Sequence, residues 1–279
     1  MSDGSDSVDR YGVMGYPVSH SRSPVIHNLF AAQTRQNIRY ELLQVPPDKL
    51  EFAVDQFRRT GGRGLNITVP LKQAVVGLCD RLSARAEAAG AVNTLAFGED
   101  GIFGDITDGF GLVRDLEFYL GENLEGATIL ILGAGGASRG IVGPLLERGP
   151  NKLVVANRTP ERAVAIAERF GDGDNVTARG FEEFGDAEAF DIVINATSAG
   201  VHGETPPYPA AAVGKRSLCY DLSYGLKPTP FCLWARDAGA GRRSMGWGML
   251  VEQAAESFYI WRGKRPDTGP VLRQLAVSA

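Results

Sequence analysis

Thr128-Ile-Leu-Ile-Leu132 runs straight into Gly133-Ala134-Gly135-Gly136-Ala137-Ser138-Arg139-Gly140, and this junction decides the fold. The five-residue run is short and apolar enough to be a strand buried on both faces. The glycines permit a tight strand-to-helix turn. They also let a pyrophosphate approach the unpaired N–H groups of a helix N-terminus. A helical pattern over 137–147 and a second strand over 153–157 complete a βαβ unit. Ser138 stands where the third glycine of G-x-G-x-x-G would be, so the match is imperfect, although serine is small enough for helix–strand packing. The competing reading is a merely structural turn; the strand before it and the helix after it favour dinucleotide binding.

The second strand ends in Asn157-Arg158-Thr159-Pro160-Glu161-Arg162. A carboxylate here would hold the ribose 2′-hydroxyl of NAD. Two arginines with Asn157 and Thr159 instead suit a 2′-phosphate, which predicts NADP. Thr159 before Pro160 also reads as a helix cap, and the two readings are compatible. Further on, Asn195-Ala-Thr197-Ser198-Ala-Gly200 follows a strand over 191–195, a place where small residues suit a flat ring.

Outward from this unit the chain alternates strand and helix patterns, which predicts an α/β protein with mainly parallel sheets. Strands are expected at 11–16, 39–45, 64–69, 91–97, 102–106 and 217–222. Helices are expected at 24–34, 48–59, 71–80, 108–120, 160–170, 249–262 and 270–276. The expected organisation is an α/β substrate-binding catalytic domain over 10–109, completed by C-terminal helices in 247–279 that pack back on it. A Rossmann-type NADP-binding domain occupies 110–246.

The 279 residues carry a net charge of −4 and are 44% hydrophobic, which argues for a sizeable core and against a nucleic-acid partner. Arg242-Arg243 and Arg262-Gly-Lys264-Arg265 read as solvated helix ends. Cys79, Cys219 and Cys232 are odd in number and widely spaced, which favours a reducing, cytoplasmic location over a disulfide framework. No apolar run approaches the roughly 20 residues of a membrane span. His20, His27 and His202 fit no zinc pattern, so no metal is expected. The Tyr-x-x-x-Lys arrangement is absent as well. Any acid–base residue is therefore expected in the first domain.

Three polar islands there sit at strand ends, where α/β ligands bind. They are Ser19-His20-Ser21-Arg22-Ser23-Pro24; Asn66-Ile-Thr68-Val-Pro70-Leu-Lys72; and Asn93-Thr94 with Gly104-Asp105-Ile106-Thr107-Asp108-Gly109. Each also has a plainer reading: Ser21, Ser23 or Asp108 as a helix cap, Lys72 as a surface lysine, Asn93 as a satisfied strand amide. Together they supply a cationic acid–base candidate, a carboxylate and several neutral donors.

Ser21-x-Ser23-Pro-x-Ile-His27, Asn66-x-Thr68-Val-Pro-x-Lys72, Gly90-Ala-Val-Asn93-Thr, Gly133-Ala-Gly-Gly-Ala137, Asn157-Arg-Thr-x-x-Arg162, Tyr220-Asp-x-x-Tyr224 and Gly248-Met-Leu-Val-x-Gln253 follow one another in order. In this the chain resembles the shikimate dehydrogenase family from about Tyr11 onward. The resemblance implies NADP-dependent interconversion of shikimate and 3-dehydroshikimate in aromatic amino-acid biosynthesis. It implies Lys72 as acid–base residue beside Asp108. Ser21, Ser23 and Tyr224 would hold the carboxylate, and Thr68, Asn93 and Gln253 the ring hydroxyls. Gly133, Ala134, Gly135, Gly136, Ala137, Asn157, Arg158, Thr159, Arg162, Leu222 and Gly246 would line the cofactor, with Thr197 added from its place after a strand. The expected partner is the small-molecule substrate, without nucleic acid or membrane, in a monomer or homodimer.

Three positions depart from the family pattern. Ile106 replaces Asn in Gly-Asp-Asn-Thr-Asp, Ala84 replaces an acidic residue, and Trp247 replaces a smaller residue or Leu. A quinate- or NAD-using paralogue stays open, as does a cofactor-sensing module without catalysis. Methylene-tetrahydrofolate dehydrogenase shares the layout but fits the Ser-x-Ser and Val-Pro-x-Lys context poorly.

Overall fold

The computed structural model describes residues 8–171, 175–185, 188–197, 199 and 206–277. Ser198, Gly200 and His202 lie outside the described residues. The chain divides into two compact units, Met1–Gly111 with Leu250–Gln274, and Leu112–Met249 with Leu275–Ala279.

The first unit contains β1 (Asp9–Gly15), α1 (Ser23–Thr34), β2 (Ile38–Gln44), α2 (Leu50–Arg59), β3 (Gly62–Ile67), β4 (Arg81–Leu82), α3 (Ala84–Ala89), β5 (Thr94–Gly98) and β6 (Gly101–Asp105). Their sheet has the order β2-β1-β3-β5-β6-β4. Three of its five pairings are parallel, so it is mainly parallel as expected, while β5 runs antiparallel to both β3 and β6. The reason is the connection: Gly98 pairs with Gly101, so Glu99 and Asp100 alone join β5 to β6. So short a link makes a hairpin, whereas a parallel crossover needs a dozen or more residues.

One local expectation for this unit is corrected and one helix is added. The helix expected over 71–80 is only a 3-10 turn, Ala74–Leu78. Paired β-branched Val75 and Val76 followed by Gly77 lower helix propensity there. Conversely α3, a six-residue helix, escapes a periodicity search. Ser83 caps it by accepting from the Ala86 N–H at 3.2 Å, and Gly90 ends it at φ +58°.

The second unit follows α4 (Asp108–Arg114), which continues as a π turn over Asp115–Tyr119. It holds β7 (Thr128–Leu132), α5 (Gly136–Leu146), β8 (Lys152–Asn157), α6 (Pro160–Phe170), β9 (Val176–Gly180), β10 (Ile192–Asn195), β11 (Leu218–Asp221), α7 (Pro230–Asp237) and β12 (Arg242–Met245). The sheet order is β12-β11-β10-β7-β8-β9, and every pairing in it is parallel. Alternate residues of the central strands feed two separate cores. Ile129, Ile131, Val155 and Ile194 enter one; Leu130, Leu132, Val154 and Val193 enter the other. Burial on both faces is what the unbroken apolar runs require, and it makes this unit doubly wound.

The last two helices are α8 (Trp247–Arg262) and α9 (Thr268–Val277). Arg242 and Arg243 lie in the edge strand β12, not at a helix end, and Arg242 is engaged by Glu122 and by the Leu120 carbonyl. Arg262 does end α8, but it is tied to Asp9, Gln36 and the Tyr11 hydroxyl rather than simply solvated.

Candidate active site

The second and third polar islands of the first unit meet at one end of its sheet, and the first follows β1 at the same end. Asn93 enters β5, Asp108 opens α4, and Lys72 follows the loop that leaves β3. The Lys72 side chain is only 12% exposed, which removes the surface-lysine reading. Its Nζ lies 2.5 Å from Asp108 Oδ2. Asp108 Oδ1 in turn accepts from Asn93 Nδ2 at 2.9 Å. That amide has two further acceptors in reach, Thr107 Oγ1 at 2.9 Å and Gln253 Oε1 at 3.3 Å. An amide nitrogen carries two hydrogens, so three acceptors cannot all be served at once. Gln253 is therefore the partner most easily released to a ligand, being the most distant.

A buried layer beneath fixes this arrangement. Asn93 Oδ1 accepts from the Thr107 N–H at 2.9 Å and from Thr94 Oγ1 at 2.8 Å. Asn66 donates to the Asn93 carbonyl at 3.1 Å and to Ser257 Oγ at 3.0 Å, while its own carbonyl accepts from the Tyr40 hydroxyl at 2.7 Å. Tyr40 and Ser257 lack any single-position signal. Only β1–β2 pairing and the return of α8 bring them here.

Asp105 ends β6, three residues before Asp108. Burial would raise its carboxyl, but Arg85, Ser83 and the Ile106 N–H hold it below the usual carboxylate range. Ile106 is itself fully buried. Ala84 is exposed and brings no acidic group.

Ser21 and Ser23 lie together, Oγ to Oγ at 3.1 Å, at the start of α1. The N-cap position is Arg22, without a side-chain bond of its own, but Ser21 Oγ accepts from the Ser23 N–H at 3.3 Å and so serves the first N–H of the helix. Thr68 sits just beyond β3, where its N–H donates to the Met14 carbonyl at 2.9 Å.

In the second unit, β7 neighbours β8 on one side and β10 on the other, so the chain order reverses beside it. Ligands of doubly wound folds bind outside the strand ends at such a switch point. Gly133 has φ +108°, and a Cβ there would meet the Ala196 and Thr197 backbone at 3.0 Å. The turn can therefore lie against the end of β10 only as glycine. Among the described residues nothing approaches within 4 Å of a Cβ at Gly135, which leaves the outer side of the turn open to a pyrophosphate. Ser138 does more than stay small: it is fully buried and its Oγ donates to the Gly133 carbonyl at 2.8 Å.

Asn157 leaves β8 with Nδ2 donating to the Thr159 carbonyl at 2.9 Å. Thr159 is the N-cap of α6 by backbone, without a side-chain bond. Arg158 and Arg162 are exposed, and neither has an ion pair among the described residues. Two free guanidinium groups at this strand end fit the donor set of a ribose phosphate.

Asn195 and Asp221 build the neighbouring strand ends. Asn195 Oδ1 accepts from the Thr197 N–H and Oγ1, at 3.2 and 2.8 Å, and its Nδ2 donates to Asp221 Oδ1 at 3.0 Å. Burial pushes the Asp221 carboxyl up, against hydrogen bonds from Thr229, Ser223 and Asn195. Gly246 lies against the Leu222 carbonyl, which a Cβ would meet at 2.6 Å. Trp247 packs on Tyr224, ring centroids 4.8 Å apart and tilted 47°. The sequence reading missed Asp115, which is buried and accepts from the Tyr220 hydroxyl at 2.5 Å and the Met249 N–H at 3.1 Å.

A buried lysine–carboxylate pair in one unit and an open phosphate-type turn in the other define an α/β protein of the dinucleotide-binding dehydrogenase class. Comparison with known proteins narrows this. Profiles described as the shikimate dehydrogenase substrate binding domain, shikimate / quinate 5-dehydrogenase and the shikimate 5'-dehydrogenase C-terminal domain match residues 13–95, 117–202 and 246–276. The NADP(+) shikimate dehydrogenase of Alkalilimnicola ehrlichii is 52% identical over 267 residues, which are 96% of this chain and 98% of that protein. A crystal structure of a Pseudomonas putida enzyme superposes with a TM-score of 0.87 at 45% identity, covering 96% of this chain and 98% of the other. Shikimate 5-dehydrogenase of Thermus thermophilus, solved with NADP(H) and shikimate, gives a TM-score of 0.83 at 33% identity, covering 97% and 99%. The chain belongs to the shikimate dehydrogenase family.

Proposed function

We propose that this protein interconverts shikimate and 3-dehydroshikimate with NADP as hydride carrier. The observation that carries the reading is the Lys72–Asp108 pair, 2.5 Å apart and almost withdrawn from water, with Asn93 and Gln253 beside it. When bound, the nicotinamide supplies the hydride acceptor or donor; the protein must handle the proton. Lys72 takes the hydroxyl proton in oxidation and returns it in reduction. Asp108, itself held by Asn93, aims the Lys72 amine. Thr68, Asn93 and Gln253 bind ring hydroxyls, and Ser21, Ser23 and Tyr224 hold the carboxylate with neutral donors.

We assign the substrate chiefly to the first unit and the cofactor to the second. There Gly133–Ala137 takes the pyrophosphate, while Asn157, Arg158, Thr159 and Arg162 take the 2′-phosphate. Thr197 lies where a flat ring would sit, and Leu222 and Gly246 line the cofactor. The free guanidinium groups of Arg158 and Arg162 favour NADP over NAD. Among the described residues no helix is long and apolar enough to cross a membrane. We place the protein in the cytoplasm, where Cys79, Cys219 and Cys232, all free thiols, stay reduced.

The test is steady-state turnover of shikimate and quinate with NADP and with NAD, for the natural protein and for Lys72→Ala. Shikimate with NADP should be the preferred pair. Lys72→Ala should lower kcat by about 10²–10⁴, with shikimate affinity changed less than about tenfold. Near-normal turnover of the variant would show that the proton leaves by another route.

A further inference from the structure

Arg85 belongs to no motif recognised in the sequence, yet it joins the two segments that carry the active-site groups of the first unit. It is the second residue of α3. Its Nε donates to Asp105 Oδ1 and its Nη2 to Asp105 Oδ2, both at 2.7 Å, a two-point clasp on one carboxylate. The same Nη2 also reaches Glu256 Oε1, on α8, at 3.1 Å. Asp105 and Glu256 are 4% and 9% exposed, so each depends on protein partners for its charge.

From each end of this clasp a short path leads to the site. Asp105 takes the Ile106 N–H on its side chain at 2.7 Å, and its carbonyl takes the Asn93 N–H at 2.9 Å. Thr107 and Asp108 follow directly, and Asp108 holds Lys72. Glu256 stands three residues after Gln253 on the same helix, which puts the two on neighbouring turns of one face. Ser83, the cap of α3, adds a third hold on Asp105 with an Oγ-to-Oδ1 distance of 2.5 Å. Arg265 pairs with the other oxygen of Glu256 and lies over the rings of Phe110 and Tyr259. Three cationic or hydroxyl groups thus converge on two buried carboxylates that share one guanidinium nitrogen.

We infer that Arg85 is a positioning residue for the proposed reaction: it clamps the end of β6 to α8, and so sets Asp108 and Gln253 at working distance from Lys72 and the substrate. This rests on the reading that Lys72 and Asp108 carry the proton chemistry. Without the guanidinium, two buried carboxylates meet with only Ser83, the Ile106 N–H and Arg265 to offset their charges. They move apart, and the two segments separate with them. Lysine keeps the charge but cannot make the planar two-point bond or reach both carboxylates at once.

The experiment measures kcat and KM for shikimate and NADP in Arg85→Lys, Arg85→Ala and Lys72→Ala beside the natural protein. Circular dichroism reports folding. Arg85→Lys should lose at least tenfold in kcat and raise the KM for shikimate at least threefold, with the KM for NADP within twofold. Guanidinium ion at tens of millimolar should restore part of the kcat of Arg85→Ala, because it can occupy the vacated clasp; a purely structural defect would not respond. Arg85→Lys with kcat and shikimate KM within twofold of the natural protein, while Lys72→Ala is inactive, overturns the assignment alone. So does a folded Arg85→Ala that is slow and unmoved by guanidinium. Should Arg85→Ala not fold, Arg85→Lys decides. Near-normal turnover of Lys72→Ala overturns the reading of the site, and the role of Arg85 with it.

Discussion

His27 lies on α1 with its ring fully buried, stacked on Tyr40 at 4.3 Å and 7° and flanked by Phe30, Phe258 and Trp261. Neither ring nitrogen has a hydrogen-bond partner among the described residues. Burial pushes its pKa from 6.5 down to about 3, the nearby Asn66 side chain opposing only in part. The folded protein therefore holds His27 neutral where an unfolded chain would bind a proton. Its contribution is fully present above pH 6.5 and is lost as pH falls from there toward 3. At about 1.36 kcal/mol per pH unit, the loss between pH 7.5 and pH 5 is about 2 kcal/mol. That is a large share of a typical stability of roughly 5–15 kcal/mol. The perturbation is His27→Phe, which keeps a ring in an aromatic pocket and removes the titrating nitrogens. Urea unfolding at pH 7.5 and pH 5, followed by tryptophan fluorescence, gives the stability of both proteins, and the difference cancels the carboxylates common to them. The natural protein should lose about 2 kcal/mol more than the variant over this interval. Equal losses within about 0.5 kcal/mol would refute the reasoning, because the imidazolium would then have a stabilising partner in the fold.

Arg158→Ala should weaken NADP by about 10- to 150-fold and leave NAD nearly unchanged, since a charge-assisted bond is worth about 1.5–3 kcal/mol. Fluorescence titration with each cofactor checks it, and equal losses for both would remove the 2′-phosphate assignment. Ser23→Ala should raise the KM for shikimate and spare kcat and NADP binding, because the carboxylate keeps its charge through the reaction. Weakened NADP with normal shikimate kinetics would show the loop to be misplaced. Gly248→Ala should destabilise the protein by about 1–3 kcal/mol, since a Cβ there would lie 2.0 Å from Asp115 Oδ1, inside a buried hydrogen-bonded group. A thermal midpoint within 1 °C, about the precision of the melt, would mean that the Asp115 site can relax at no cost.

The dinucleotide turn was legible because its determinants are local. An apolar run, glycines that admit a reversed φ, and the next strand's terminal arginines all fall within 35 residues, from Thr128 to Arg162. Strand β7 and helix α6 come out residue for residue, since unbroken apolar runs and Thr-Pro starts are local signals too. The helix expected at 71–80 is not formed because Val75-Val76-Gly77 lowers helix propensity at its centre. Elements α3, α7, β9 and β12 carry no such signal: they are short or lie at an edge, with too few residues to show a period.

Residue type and place at strand ends brought Lys72, Asp108 and Asn93 to notice, and the family resemblance added Gln253. The sequence determined which groups could act, because amine, carboxylate and amide chemistry belong to the side chain wherever it stands. Tertiary structure alone decided which of them meet, and which buried groups hold them there. Asn66 reaches Ser257 across 191 residues, Arg85 reaches Glu256 across 171, and Tyr220 reaches Asp115 across 105. None of these contacts leaves a periodicity or a spacing to read. A buried polar group is satisfied by whatever the packing brings within about 3 Å, and that distance exists only once the sheets have formed and α8 has returned to the first of them.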